Sequence, residues 1–170
     1  MIRLALPILA LLISSTAYAH APEAAANGQI DYEGFATNVR EVGAVRESRR
    51  VSEAEFMRMA GEPGTVVLDA RSERLFKLRH VQGAMNLAFT EFTEATLARI
   101  IPSRSTRILI YCNNNFTGAP ESLPVKAVAS ALNLSTFVSL YTYGYRNVYE
   151  LGPVIDVARS KLAFAGTELR

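Results

Sequence analysis

Short apolar runs and stretches with a helical period take turns along this chain. Asp31 is placed to cap a helix through Val42, with Tyr32, Phe35 and Val39 on one face. Ser52-Glu53-Ala54-Glu55 is a capping box that predicts a helix to Ala60, ended by Gly61-Glu62-Pro63-Gly64. Thr65 to Asp69 reads as a buried strand closing on a carboxylate, and Ser72 begins a helix to Leu78. Ala84 to Leu87 is a second short strand. Thr93 and Glu94 open a helix through Ile100, stopped by Pro102, and Arg107 to Tyr111 is the next strand. Pro124 suits a first helical position, followed on one face by Val125, Val128, Ala129 and Leu132. Thr136 to Leu140 is assigned as a strand, Tyr145 to Leu151 as a short helix closed by Gly152-Pro153, and Val154 to Ala158 as one more turn. Arg159 to Arg170 carries little pattern.

Strands alternating with helices predict an α/β fold: a central, mostly parallel sheet with helices on both faces. Sites in such sheets lie at the carboxyl ends of the strands. Asp69 and Cys112 each end an inferred strand, so both are expected at one edge.

Composition narrows the function classes. Hydrophobic residues make up 49% of the 170, enough for a packed core in one domain. A net charge of +2 is too small to imply a nucleic-acid partner. The densest basic stretch, Arg46-Glu47-Ser48-Arg49-Arg50, reads as a solvated face. The start of the chain has the order of a secretory leader: Arg3, an apolar run from Leu4 to Ile13, then Ala17-Tyr18-Ala19 as a cleavage site. That run is about half the length of a membrane span, so stable membrane insertion is not expected. The expected organisation is a leader over 1–19, an N-terminal extension over 20–50, a domain over 51–158 and a tail over 159–170. After cleavage near Ala19 the product is expected in the periplasm or outside the cell.

Exported chains often carry disulfides, but Cys112 is the only cysteine and has no internal partner. It is either a small buried hydrophobe or a thiol in use.

Asp69-Ala70-Arg71 after a strand, His80-Val81-Gln82-Gly83-Ala84-Met85-Asn86, and a later strand ending in Cys112 together resemble the rhodanese-like domain. The resemblance covers roughly Val51 to Val157. It implies a sulfurtransferase in which Cys112 takes a sulfane sulfur from a small anionic donor, holds it as a persulfide and passes it to a thiol or other nucleophilic acceptor. It implies no metal and no organic cofactor. Asn113, Asn114, Asn115, Phe116 and Thr117 are then the loop around the sulfur. Asp69 and Arg71 brace the strand end. His80 is a hydrogen-bonded framework residue, and Asn86 satisfies nearby backbone groups. Arg146 and Arg74 are candidate anion contacts.

The chain departs from the family in one place. Members usually run from this loop directly into a helix whose positive end faces the sulfur. Here Gly118-Ala119-Pro120-Glu121-Ser122-Leu123 intervenes before Pro124, so the helix is expected farther from Cys112. Glu121 would raise the thiol pKa if it came near. A related phosphatase would need arginine six residues after the cysteine, and Gly118 stands there. The remaining competitor is a non-catalytic binding or thiol redox-sensing module. Tyr141, Tyr143, Tyr145 and Tyr149 are its candidate recognition patch for a protein partner.

Overall fold

A computed structural model describes residues 27–169. The expected leader lies outside them. Residues 27–31 make a turn, with Ile30 N–H donating to the Asn27 carbonyl at 3.0 Å. The body described below begins at Tyr32.

The helices are α1 (Tyr32–Arg46), α2 (Glu53–Ala60), α3 (Glu73–Leu78), α4 (Glu94–Ile100) and α5 (Leu132–Thr142). The strands are β1 (Arg50–Val51), β2 (Thr65–Asp69), β3 (His80–Val81), β4 (Met85–Asn86), β5 (Arg107–Tyr111), β6 (Phe116–Thr117), β7 (Val148–Leu151), β8 (Ile155–Asp156) and β9 (Phe164–Ala165). Five strands form one sheet in the order β1-β7-β5-β2-β4, every pairing parallel. The β2–β5 register sets Asp69 beside Tyr111, directly before Cys112.

Side chains alternate across the two central strands, as a doubly covered sheet requires. Val66, Leu68, Ile108 and Ile110 pack with Val42, Leu97, Phe137 and Leu140 on one face. Val67, Leu109 and Tyr111 pack with Phe56, Met59, Phe116 and Leu123 on the other. Local caps set the helix starts. The Ser52 hydroxyl accepts from Glu55 N–H, and Thr93 forms a reciprocal pair with Thr96.

Four expected elements are corrected. Residues 124–131 hold no α-helix, only a 3-10 turn at Val128–Ser130, and the helix begins at Leu132. Val125 and Val128, read as a buried face, are 68% and 86% exposed. The expected strand Thr136 to Leu140 lies inside α5. That helix buries Thr136, Phe137, Val138 and Leu140, so the amphipathic period fades and its β-branched residues resemble a strand. The expected helix Tyr145 to Leu151 is instead β7, inserted between β1 and β5. The expected turn at Val154 to Ala158 contains β8, which pairs with β6. In addition, α1 continues four residues past Val42, and β9 in the pattern-poor tail pairs antiparallel with β3. No helix among the described residues is long and apolar enough to cross a membrane.

Candidate functional site: a buried thiol under a helix N-terminus

Cys112 leaves β5 in extended conformation (φ −144°, ψ −176°), and Asn113–Asn115 form one 3-10 turn after it. Its sulfur is buried, with 1% of the residue exposed. Backbone N–H groups of Asn133, Asn114 and Leu132 donate to that sulfur. Leu132 and Asn133 are the first two residues of α5. The positive helix end therefore does face the thiol, contrary to the expected separation. The chain loops outward over residues 116–131 and returns before the helix starts.

The three asparagines hold this arrangement unequally. Asn115 Oδ1 accepts from Cys112 N–H at 2.9 Å and from Asn133 Nδ2 at 3.1 Å, and its Nδ2 donates to the Leu151 carbonyl at 2.7 Å. Asn114 exchanges two bonds with the backbone of Lys126, at 2.8 and 3.0 Å, and so pins the outer loop. Asn113 is buried, yet its Oδ1 has no partner among the described residues, and the same holds for Asn133 Oδ1 and Thr136 Oγ1. Phe116 and Thr117 leave the turn as β6. Phe116 packs edge-on against Tyr111 and Phe164 in the core, and Thr117 is exposed.

Asp69 and Arg71 lie below the turn, both buried. Arg71 Nε donates to Asp69 Oδ1 at 2.9 Å and Nη2 to Oδ2 at 2.5 Å, a two-pronged pair. The same guanidinium donates to the carbonyls of Ser122 (2.9 Å) and Arg79 (2.7 Å). The Tyr111 hydroxyl donates to Asp69 Oδ2 at 2.6 Å. Burial opposes the Arg71 charge, and the Asp69 bonds and charge more than reverse this, leaving it above the ordinary arginine value. Burial beside Asp69 holds the Tyr111 phenol well above its usual range, so it stays protonated and donates. Through Ser122, Arg71 fixes the inner half of the inserted segment, whose Ala119 and Leu123 are buried in the core. The insertion is packed over residues 118–123 and exposed over 125–130.

The other expected residues divide. Asn86 Nδ2 donates to the carbonyls of Asp69 and Arg71, both at 2.9 Å, and ties β4 to the turn after β2. His80 stacks on Phe76 at 3.8 Å and its Nδ1 donates to the Phe76 carbonyl at 2.7 Å. Arg74 is exposed on α3. Arg146 lies before β7, at the opposite end of the sheet from Cys112, so the two do not meet.

A cavity of about 440 Å³ opens beside the thiol. Its walls include Ala70, Arg71, Leu75, Phe89, Asn113 and Leu132, with the Lys126 side chain as the exposed cation. Lys126 was hidden to sequence reasoning in the stretch assigned to a helix. Glu150 was missed for the same kind of reason, because β7 was read as helical. It is buried beside Arg46 of α1 at 2.5 Å and Arg50 at 3.3 Å. Burial pushes its carboxyl up, against the pull of Arg46.

Burial pushes the Cys112 thiol up; the N–H groups of Asn133, Asn114 and Leu132 pull it down, and Glu150 adds to the rise. The acid acting on the thiol is thus Glu150, not Glu121. The net direction is upward, so alkylation by iodoacetamide is expected to rise with pH to a midpoint above that of an ordinary cysteine. Glu150→Gln is expected to move that midpoint down, because it removes a negative charge that opposes the thiolate. A midpoint at or below the ordinary value would contradict this balance.

A strand-terminal thiol, backbone N–H groups converging on it and a Gly-free 3-10 turn on a parallel sheet define a thiol-centred α/β module. The rhodanese-like domain model matches residues 52–151, and the chain belongs to that family. Such a domain is a sulfurtransferase-like or sulfur-binding module. The solved BH2092 protein of Bacillus halodurans is 20% identical over 78% of this chain and 88% of its own, with a TM-score of 0.53. The rhodanese-like domain of the Alr3790 protein from Anabaena sp. is 21% identical over 71% and 81%, at 0.48. A rhodanese from E. coli, solved with anions, is 19% identical over 61% and 99%, at 0.41. No curated protein matches the chain.

Proposed function

We propose that this chain is an exported sulfurtransferase or persulfide carrier with Cys112 as the sulfur-bearing residue. The observation that carries the reading is the convergence of three backbone N–H groups, two of them from the start of α5, on one buried sulfur. Such donors stabilise a thiolate and, after loading, the charged terminal sulfur of a persulfide. In the first step the Cys112 thiolate attacks the sulfane sulfur of the donor. A new S–S bond forms, the donor's bond to that sulfur breaks, and the leaving group departs with the electron pair. In the second step the acceptor nucleophile attacks the outer sulfur, and Cys112 leaves as the thiolate. The cavity beside Asn113 and Leu132, with Lys126 at its edge, suits a small anionic donor such as thiosulfate or a mercapto acid. The leader-like start supports action in the periplasm or outside the cell.

A second reading, a binding or thiol-sensing module that turns nothing over, is favoured by the near-complete burial of the sulfur and its raised pKa. One experiment separates the two. The protein lacking residues 1–19 is incubated with thiosulfate or a mercapto-acid donor, and intact mass and cyanide-dependent thiocyanate are measured. The carrier gains one sulfur atom, and Cys112→Ala gains none. If no donor loads a thiol that still alkylates, the carrier reading fails and the binding module stands.

A further inference from the structure

The tyrosine cluster and the basic stretch find a common role at the end of the sheet opposite Cys112. A cavity of about 560 Å³ is bounded by Arg49, Arg104, Ser105, Gly144, Arg146 and Asn147. Its three guanidinium groups come from three different places in the chain: the turn before β1, the turn before β5 and the turn before β7. Each lies against a tyrosine ring. Arg49 is 4.5 Å from the centroid of Tyr149, Arg104 is 4.5 Å from Tyr145 and Arg146 is 3.4 Å from Tyr141. Further contacts fix two of them: Arg104 donates to the Tyr143 carbonyl and Arg146 to the Tyr141 carbonyl. Asn147 Nδ2 donates to the Ser105 carbonyl at 3.1 Å and closes the floor. Gly144, at φ +87°, turns the chain after α5 and leaves room for Arg104 across it.

Charge distinguishes this cluster from an ordinary basic surface. Arg104 pairs with Glu94, but Arg49 and Arg146 have no carboxylate partner among the described residues. Aromatic stacking restrains a guanidinium without neutralising it. The result is two uncompensated, pre-oriented forks and a third nearby, with a hydroxyl and an amide beside them. Planar forks held this way match tetrahedral oxyanions. We infer that this cavity binds a small, multiply charged oxyanion of the phosphate or sulfate type, at a site separate from the thiol. The five residues of β5 put roughly 17 Å between the two ends of the sheet, so one small anion cannot touch both. The inference does not rest on the proposed chemistry at Cys112.

The test is a titration of the protein, wild-type and Cys112→Ala, with inorganic phosphate and with sulfate. Sodium chloride holds the ionic strength constant, and backbone amide resonances are followed by NMR. Saturable shifts confined to residues 104–106 and 144–147, equal in both proteins, are expected. Arg49→Met and Arg146→Met should each weaken the affinity roughly tenfold, as the loss of one charge-assisted contact implies. Arg146→Lys, which keeps the charge but not the fork, should weaken it as well. The inference is overturned if the shifts simply follow ionic strength. It is also overturned if the lysine and methionine variants bind as the wild type does. Sedimentation with phosphatidylglycerol vesicles, without a saturable response to free phosphate, would likewise overturn it by pointing to a lipid surface.

Discussion

Arg71→Met is expected to lower the unfolding free energy by about 3–5 kcal/mol, the usual cost of leaving one member of a buried ion pair alone. The substitution keeps much of the side-chain volume, so the loss is electrostatic rather than a cavity. It strands the Asp69 carboxylate at the centre of the sheet and removes the donors to the Ser122 and Arg79 carbonyls. Three signatures separate this from a general packing defect. The deficit should shrink as pH falls through the carboxylate range. A buried carboxyl without its cation has a folded pKa above its unfolded one, so its unfavourable effect is absent below the unfolded value and grows as pH rises through the folded value. Second, Asp69→Asn combined with Arg71→Met should be more stable than Arg71→Met alone, because no buried charge remains. Third, proteolysis should begin in the inserted segment near Ser122, which loses its tether to the strand. Urea denaturation across a pH series reads the first two. A deficit under about 1 kcal/mol, flat with pH, would mean that the pair is not the brace of this edge.

That brace was legible from the sequence because both members sit two residues apart at the end of one strand. The parts read correctly share this local character. Asp69 and Cys112 end strands that are apolar runs with clear stops, and α2 and α4 announce themselves through Ser52 and Thr93. What was not legible depends on distant partners. Glu150 in the middle of β7 looked incompatible with a buried strand, since the arginine that accepts it, Arg46, stands 104 residues earlier on α1. The start of α5 was misplaced because Val125 and Val128 imitate a helical face that nothing covers, while Thr136-Phe137-Val138 imitates a strand inside a helix buried on several sides. Once α5 is placed correctly, the inserted segment no longer separates the thiol from the helix. It is an excursion of the loop that Arg71 and Asn114 fasten at two points, and it brings Lys126 to the cavity.

The same dependence on distant partners makes three identical neighbours unequal. Asn115→Ala is expected to cost about 2–4 kcal/mol, while Asn114→Ala costs about 1 kcal/mol or less. Removing the Asn115 side chain leaves the Cys112 N–H, the Asn133 amide and the Leu151 carbonyl without partners, all in buried surroundings. Each orphaned group carries a desolvation penalty that water cannot relieve. Asn114 is released only from an exposed loop backbone, where water replaces the lost bonds. The functional outcome should follow the same order. Asn115 couples the turn after Cys112 to the first turn of α5, so its loss lets the two sets of N–H donors drift apart. With fewer donors on the sulfur, the thiolate is less stabilised, and the alkylation midpoint should move further up than in the wild type. Asn114→Ala should leave the midpoint close to wild type, and its mark should be faster proteolysis around Lys126. Asn115→Asp tests the donor side alone, because it keeps an acceptor for Cys112 N–H but offers nothing to the Leu151 carbonyl and places a negative charge near the sulfur. It should raise the midpoint more than Asn115→Ala does. If Asn114→Ala and Asn115→Ala shift stability and midpoint equally, the turn is a plain polar loop and the coupling between β5 and α5 lies elsewhere.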